Sequence, residues 1–563
     1  MNTFIREEVG RLLHKAGVKE VGELATPPKA EMGDVAFPCF TLSKTLGKNP
    51  AEIAKEIASK ITVGGLVERV AVFGPYVNFI LSPSAVIGEV VGEVLKKKKD
   101  YGALTSGKGN KILLEYPSNN THKEFHIGHF RNVCIGNTLT GLYRATGSKP
   151  HVVNYLNDFG SHVAKCLWGL LKFHGSEKPP ANKQKWLGEI YAEASRYLKD
   201  HPEAESEVVE IQKKLEAKDK SIWKLFMETR EWSIEKFDGL FKELGVKHEA
   251  VFYEKDIKAK GQKIVDELLK KKIAEVGEGG AIIVDLTAHG LDIALVRKSN
   301  GVGLYLTSDL PLAEEKFQKY KVDESIVITA QEQQFYFRQL YKILELMGFK
   351  KKLTHISYGF VTLPEGKMSS RTGKVILYED LRDQVYDHLL KATQERHADW
   401  PKKKIKQTAR ALALAALKFD MQKHDAVKNI VFDIKEATSV EGFSGPYVLY
   451  SIARINSILR KAGKVSKKVS FASTTMSEEK RLALLMGGYS AMLEKALEQY
   501  NPSVVARYCF DLAQAFNDFY AKCPILTDDD LTTSAARLAL SQAVKNVLIN
   551  GLSLLSISPV EEM

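Results

Sequence analysis

The sequence predicts a multidomain chain of mixed α/β and all-α class: an α+β N-terminal region, a central parallel sheet covered by helices, and a C-terminal helical bundle. Three observations carry this. At 563 residues the chain is too long for a single hydrophobic core. Between residues 106 and about 385, short apolar runs alternate with helical patterns, as in a parallel sheet wrapped by helices. From about 386 to 563 strand signals nearly vanish, and apolar residues recur at steps of three and four.

Each region has its own signals. In residues 1–105, Ile53, Ile57 and Ile61 mark one helix face, and Val70 to Leu81 reads as strand broken by Gly74-Pro75. The run Lys96 to Lys99 and the glycines from Gly102 to Gly109 read as a linker, the lysines as the solvated tail of a helix. In residues 106–385, strands are expected at Ile112 to Leu114, Val152-Val153, Ala281 to Val284, Ile326 to Ile328 and Ile356 to Val361. The stretch from about 176 to 275 is charged and helical, and reads as an insertion into the sheet domain. In residues 386–563, Val505, Cys509, Leu512, Phe516 and Phe519 form one amphipathic stripe, and Leu540, Val544, Val547, Gly551 and Leu555 another. Lys464 to Thr475 is a polar break between them.

Composition narrows the classes. Hydrophobic residues make up 44% and charged residues 27%, ordinary for a soluble protein. No apolar run reaches the roughly 18 to 20 residues that a membrane helix needs. The N-terminus lacks a signal core and carries Glu7 and Glu8, so a cytoplasmic protein without a membrane partner is expected. The five cysteines lie far apart with no Cys-x-x-Cys pair, which argues against structural zinc and against a disulfide framework. Cys134 reads as a small buried apolar residue. The net charge of +12 suits a polyanion such as RNA but does not by itself require one.

The densest chemistry lies in Glu115-Tyr-Pro-Ser-Asn-Asn-Thr-His-Lys-Glu-Phe-His-Ile-Gly-His129, between a strand and a helix beginning near Ile127. Strand, loop and helix N-terminus make an anion site, because unpaired N–H groups and the helix dipole converge there. His126 and His129 share one face at helical spacing, and Gly128 between them leaves room for a nucleotide. Such imidazoles can hydrogen-bond phosphate oxygens as charge builds up. Alone, they could equally be two ordinary helix-start histidines or a metal pair. Lys123 adds a nearby cation. A second cluster, Gly366-Lys-Met-Ser-Ser-Arg-Thr-Gly-Lys374, combines three cations, three hydroxyls and two glycines, which suits a loop that tracks a departing pyrophosphate.

Together the clusters resemble the signatures of class I aminoacyl-tRNA synthetases. His126 to His129 matches that class's HIGH motif, and Lys367-Met-Ser-Ser370 matches KMSK in three of four positions. Ser370 stands where lysine is usual, and Arg371 follows it, so the division of roles among Lys123, Lys367 and Arg371 is open. The resemblance implies a Rossmann-type catalytic domain. It also implies ATP, with accompanying Mg²⁺, bound by His126, Ile127, Gly128, His129, Lys367, Met368, Ser369 and Ser370. No residue is read as a metal ligand.

Further segments resemble the arginyl member of the class. They are Ile112 to Asn120, Tyr155-Leu-Asn-Asp-Phe-Gly160, Gly303-Leu-Tyr-Leu-Thr-Ser-Asp-Leu310 and Gln331 to Phe337. Phe443 to Tyr450, Asp511 to Tyr520 and, near the start, Phe73-Gly-Pro-Tyr-Val-Asn78 fit as well. The resemblance implies that Glu115 and Asp309 supply charge to an arginine substrate, and that Asn120, Tyr305 and Gln333 supply directed acceptors. Such a set suits a planar, permanently charged guanidinium. Tyr305 and Asp309 also read as a plain surface pair, and the role given to Gln333 could belong to Gln331 or Gln334. The resemblance further implies a monomer that reads the tRNA(Arg) anticodon with its C-terminal region. Tyr447 and Tyr450 are the expected contacts there, and Phe516 is expected in the core. The alternatives are another class I synthetase, glutamyl or cysteinyl, a non-catalytic tRNA-binding relative, or a nucleotidyltransferase for a small acceptor.

Overall fold

The computed structural model describes every residue except 1–2, 300, 302, 365–375, 464–468 and 528–529. The central sheet has five strands in the order Lys352–Tyr358, Glu324–Ala330, Lys111–Glu115, Lys149–Leu156, Ala250–Tyr253, and every neighbouring pair is parallel. The chain starts at the middle strand, builds outward to one edge, then returns to fill the other side. This is the doubly wound arrangement, and its strand order reverses between Lys111–Glu115 and Glu324–Ala330. Ligands of such sheets sit beyond the carboxyl ends of the strands at that reversal.

Three expectations change. Ala281 to Val284 does not join the parallel sheet. Ile282–Val284 is the middle strand of a small antiparallel sheet with Glu275–Val276 and Ala294–Arg297. The connections on either side are too short for the crossover that a parallel pair requires. Conversely, the stretch read as a helical insertion contains Ala250–Tyr253, which rejoins the parallel sheet as its edge strand. The helices Lys183–Asp200, Glu205–Glu216 and Lys220–Leu244 precede it. The run from Ile356 also ends early. Lys352–Tyr358 stops before Gly359, and Val361–Thr362 pairs instead with Ile430–Val431 from the C-terminal half.

The N-terminal region is an antiparallel sheet, Val35–Pro38, Tyr76–Leu81, Val67–Phe73, whose hairpin turns at Gly74 with φ 58°. Helix Pro50–Lys60 packs on it through Ile53 and Ile57. Helix Pro83–Lys97 turns Val86, Val90 and Val94 inward, and the basic tail Lys96 to Lys99 is solvated. The C-terminal half stacks Lys402–Gln422, Gly445–Ala462, Ser477–Gly487, Pro502–Lys522 and Leu531–Leu554. Both expected stripes point into its core, Phe516 included, and all five cysteines are free and buried. Among the described residues no helix is long and apolar enough to cross a membrane.

The helix that follows the first motif, Ile127–Ala145, is buried on nearly every side because it packs on both the sheet and the C-terminal bundle. Thr138 donates to the carbonyl of Leu554, 3.0 Å away, and to Gln422. Arg131 is fully buried. Its guanidinium donates to the carbonyls of Gly359 at 2.6 Å, Lys428 at 2.8 Å, Ala426 at 3.0 Å and Asp425 at 3.3 Å. Gly359 has to be bare there, since a Cβ would lie 2.4 Å from the Lys428 carbonyl oxygen. Arg131 thus ties the motif helix to the segment leading into the second signature. Arg131→Met should strand these carbonyls, each buried unsatisfied group costing about 1–3 kcal/mol. The expected result is a clearly lower urea midpoint, and an unchanged midpoint would count against the tie.

Candidate active site

The first motif is built on a strained loop. After Glu115 the chain places Ser118 (φ 55°) and His122 (φ 62°) in the left-handed region, which costs a non-glycine residue about 1–3 kcal/mol. Tertiary bonds hold both. The Ser118 N–H donates to Asn154 Oδ1 at 3.1 Å, and the His122 N–H to Ser233 Oγ at 3.0 Å. The buried His122 ring lies between the hydroxyls of Thr121 and Thr229, each 2.9 Å away. Helix Lys220–Leu244 therefore clamps the loop from outside the sheet.

The loop ends at the histidine pair, and here the geometry differs from the expected shared helical face. His126 precedes the helix as its N-cap, and His129 sits in the first turn. The His126 Nδ1 accepts from the N–H groups of Gly128 (3.1 Å) and His129 (3.4 Å), and the His129 Nδ1 accepts from the His126 N–H (3.3 Å). This is a reciprocal capping box made of imidazoles. The rings stack with centroids 3.7 Å apart. Gly128 also keeps the ring pair close, because a Cβ there would meet the His126 ring at 3.0 Å. With Nδ1 used as an acceptor, a neutral ring carries its proton on Nε2. Both rings are pushed toward the neutral form. Burial, then Lys123, pushes His126 down to about 4, and burial, then His126 and Lys123, holds His129 well below its ordinary value. The pair is a preset set of N–H donors rather than a cationic clamp.

Lys123 lies over the Tyr191 ring at 4.8 Å, and its carbonyl accepts from Gln184. Lys367, Met368, Ser369, Ser370 and Arg371 lie outside the described residues. The chain that re-emerges after them is stitched to the first motif. Ile127 N–H donates to the Ile376 carbonyl at 2.9 Å, Tyr378 N–H to the Phe125 carbonyl at 3.1 Å, and His126 bridges Leu377. The segment Ile376 to Tyr378, far along the chain, thus meets the first motif at its helix start.

The sheet domain also carries a recess rich in acid and phenol groups around Asp309. Tyr305 and Asp309 lie one turn apart on helix Tyr305–Tyr320, Tyr305 at the rim and 59% exposed. Tyr336 donates to Asp309 at 2.6 Å. Enclosure by protein nonetheless raises Asp309 to about 6, against the pull of that bond and of Lys316. Glu254 opens the helix after the edge strand, and burial, then Asp309 and Asp158, raises it to about 8. Its position is set by the buried Asp158–Arg230 pair (2.6 Å), because Asp158 also accepts from the Lys255 N–H. Two buried polar atoms of this cluster, Glu254 Oε2 and Tyr155 Oη, have no partner. Buried polar groups are nearly always satisfied, so these two atoms have hydrogen-bonding capacity to spare. Sequence reasoning missed Glu254, Tyr155 and Tyr336. A carboxylate directly after a sheet strand was the available signal for Glu254, hidden because its strand read as part of the insertion.

The remaining expected residues are placed unevenly. Asn120 bridges Asn157 at the strand ends, with no side-chain hydrogen bond among the described residues, and beside it the Ser118 hydroxyl is buried and unpartnered. Glu115 is buried and paired with Lys316. Gln333 is exposed in the turn Gln331–Gln333, and Gln331 donates to Asn429. Among the described residues no group of three or more His, Cys, Asp or Glu is arranged to hold a metal ion.

Comparison with known proteins matches this arrangement along nearly the whole chain. The model described as tRNA synthetases class I (R), catalytic domain, matches residues 90–434, the arginyl tRNA synthetase N terminal domain matches 3–81, and the DALR anticodon binding domain matches 448–563. The arginine–tRNA ligase of Bdellovibrio bacteriovorus is 34% identical over 550 residues, 96% of this chain and 94% of that one. The chain belongs to the arginyl-tRNA synthetase family. A second relative within the arginyl-tRNA synthetases, the Clostridium perfringens arginine–tRNA ligase, is 35% identical and covered to 95% on both sides. The solved arginyl-tRNA synthetase of Thermus thermophilus superposes over the full length of both chains with a TM-score of 0.80 at 25% identity. The Plasmodium falciparum arginyl-tRNA synthetase shares the fold, with a TM-score of 0.79 at 20% identity.

The region matching the family's anticodon model carries an aromatic cluster. Arg454 lies over the rings of Tyr450 (4.8 Å) and Tyr520 (5.0 Å) and donates to Asn517, which in turn donates to the Tyr447 hydroxyl at 2.9 Å. Tyr520 is 44% exposed, while Phe516 one turn earlier is in the core.

Proposed function

We propose that the chain activates L-arginine with ATP and transfers it to tRNA(Arg). The observation that carries this reading is the recess where Asp309, Glu254 and the Tyr155 hydroxyl converge, in the same sheet domain as a donor-bearing helix start. In the first step a carboxylate oxygen of arginine attacks the α-phosphorus. The new bond is the mixed anhydride, and the bond to pyrophosphate breaks. The Nε2–H groups of His126 and His129 stabilise charge on the α-phosphate, which is positioning plus electrostatics with no protein nucleophile. Ile127 and Gly128 line the nucleotide. Lys367, Met368, Ser369, Ser370 and Arg371 follow the pyrophosphate with Lys123, and Mg²⁺ arrives with ATP, held by its phosphates. In the second step the terminal ribose 2′-hydroxyl attacks the adenylate carbonyl and AMP leaves.

Arginine lies with its guanidinium against Asp309, Glu254 and Tyr305, and its α-amino and carboxylate groups toward Asn120, Ser118 and Gln333. Lysine carries the charge without the fork and would leave acceptors unpaired. Residues 1–105 and 386–563 contact tRNA, the catalytic region 106–385 lying between them. RNA readers stack splayed loop bases on aromatics, and Tyr447, Tyr450 and Tyr520 around Arg454 suit this. The protein acts as a cytoplasmic monomer. Aminoacylation of total tRNA with each amino acid in turn tests the reading: only arginine should charge, and charging of glutamate or cysteine instead would overturn it. Arginine-dependent ATP–pyrophosphate exchange should require tRNA(Arg), and rapid exchange without tRNA would refute that coupling.

A further inference from the structure

Beneath the recess lies a cation that belongs to the protein. Lys316 and Glu115 form an ion pair, their residues only 4% and 3% exposed. Glu115 ends the middle strand at the point where the sheet order reverses. Lys316 is seven residues, two helical turns, beyond Asp309, so both side chains lie on one helix face. They line the same small cavity, together with Tyr341, whose buried hydroxyl has no partner. Three carboxylates therefore share one poorly hydrated neighbourhood: Glu115 from the middle strand, Asp309 from the helix of Lys316, and Glu254 from the helix after the edge strand. The phenols facing them are Tyr155 from strand Lys149–Leu156, Tyr305 from Lys316's own helix, and Tyr336 and Tyr341 from helix Gln334–Leu346. A substrate guanidinium brings one positive charge to this group.

We propose that Lys316 is a specificity-determining positioning residue, a resident counter-ion that neutralises Glu115 so that the charge left for the substrate is carried by Asp309 and Glu254. A buried carboxylate without a partner would otherwise compete with Asp309 and Glu254 for the substrate's charge. The ammonium also acts on Asp309 in the opposite sense to Glu115, which keeps Asp309 ionisable in a nearly closed site. Lys316 never touches the substrate. It sets how many charges the substrate finds.

This inference rests on the arginine recess proposed above, and the test separates the two. The full-length protein is assayed with tRNA for kcat/KM of arginine against pH in the wild type, Lys316→Met, Lys316→Arg, Glu115→Gln and the double variant. Lys316→Met removes a cation that favours ionised Asp309, so the acid limb should move to higher pH, by about one unit. Glu115→Gln removes an anion that opposes it, so the limb should move to lower pH. The double variant should return close to the wild type, and Lys316→Arg should preserve it. Both single variants should raise the arginine KM about tenfold or more, with the ATP KM nearly unchanged. A merely structural role would not move the limbs in opposite directions. Should Lys316→Met fail to fold, the isosteric Glu115→Gln carries the test alone, and its downward shift is the expected result. Limbs that stay in place, or move the same way, overturn the role of Lys316. An Asp309→Asn variant with an unchanged arginine KM would instead overturn the recess.

Discussion

His129→Ala should slow formation of arginyl-adenylate by about 100-fold, the scale of losing one preorganised donor at a developing negative charge. The effect is large because the donor is built in advance. The Nδ1 of His129 is spent on the His126 N–H at 3.3 Å, its ring is stacked on His126, and its burial keeps it neutral. Nothing has to reorganise as the α-phosphate gains charge. Because the ring donates while uncharged, no loss of activity near neutral pH is expected from its titration. His126→Ala is a harsher change, since it also removes the helix cap, worth about 1 kcal/mol. Single-turnover adenylate formation in the presence of tRNA measures both. An unaltered rate for His129→Ala would remove that residue from the reaction.

Asp309→Asn should raise the arginine KM by about 100-fold or more, as expected when one partner of an enclosed charge pair is removed, with the ATP KM changing little. Equal effects on the two substrates would place Asp309 outside guanidinium recognition. The same pair of acids gives arginine binding a pH dependence whose sign follows from the free enzyme. Glu254 is raised to about 8 and Asp309 to about 6. A bound guanidinium favours both ionised forms and pulls both values down. At pH 7 Glu254 holds a proton in most free molecules, so binding should release it. Affinity should therefore rise with pH up to about 8, then level off, and fall as the solution is acidified through both values. Calorimetry in buffers of different ionisation enthalpy reads the released proton directly, and a heat independent of the buffer would contradict the assignment.

Local patterns told most of what they could. The strand, loop and helix start around His126 to His129 are contiguous in sequence, and so are the stripes of the bundle. Periodicity and turn chemistry therefore exposed them without any tertiary knowledge. Family resemblance then selected Asp309, Tyr305 and Asn120. Pairing across the chain lies beyond such patterns. Ala281 to Val284 and Ala250 to Tyr253 are both short apolar runs, yet one pairs antiparallel in a small sheet and the other closes the parallel one. Which neighbour a strand finds is a property of chain connectivity and packing, not of its own residues.

The sequence alone determined the class of chemistry, the order of its two signatures and the helical character of the C-terminal half, because each is encoded within a dozen adjacent residues. Only the tertiary structure decided that His126 and His129 cap one another and that burial favours their neutral forms. It alone placed Glu254 and Tyr155 beside Asp309, buried Arg131 among four carbonyls, and left Glu115 already matched by Lys316. The physical reason is the same in each case. Burial and neighbouring charge set what an ionisable group does, and both come from residues far away in the chain.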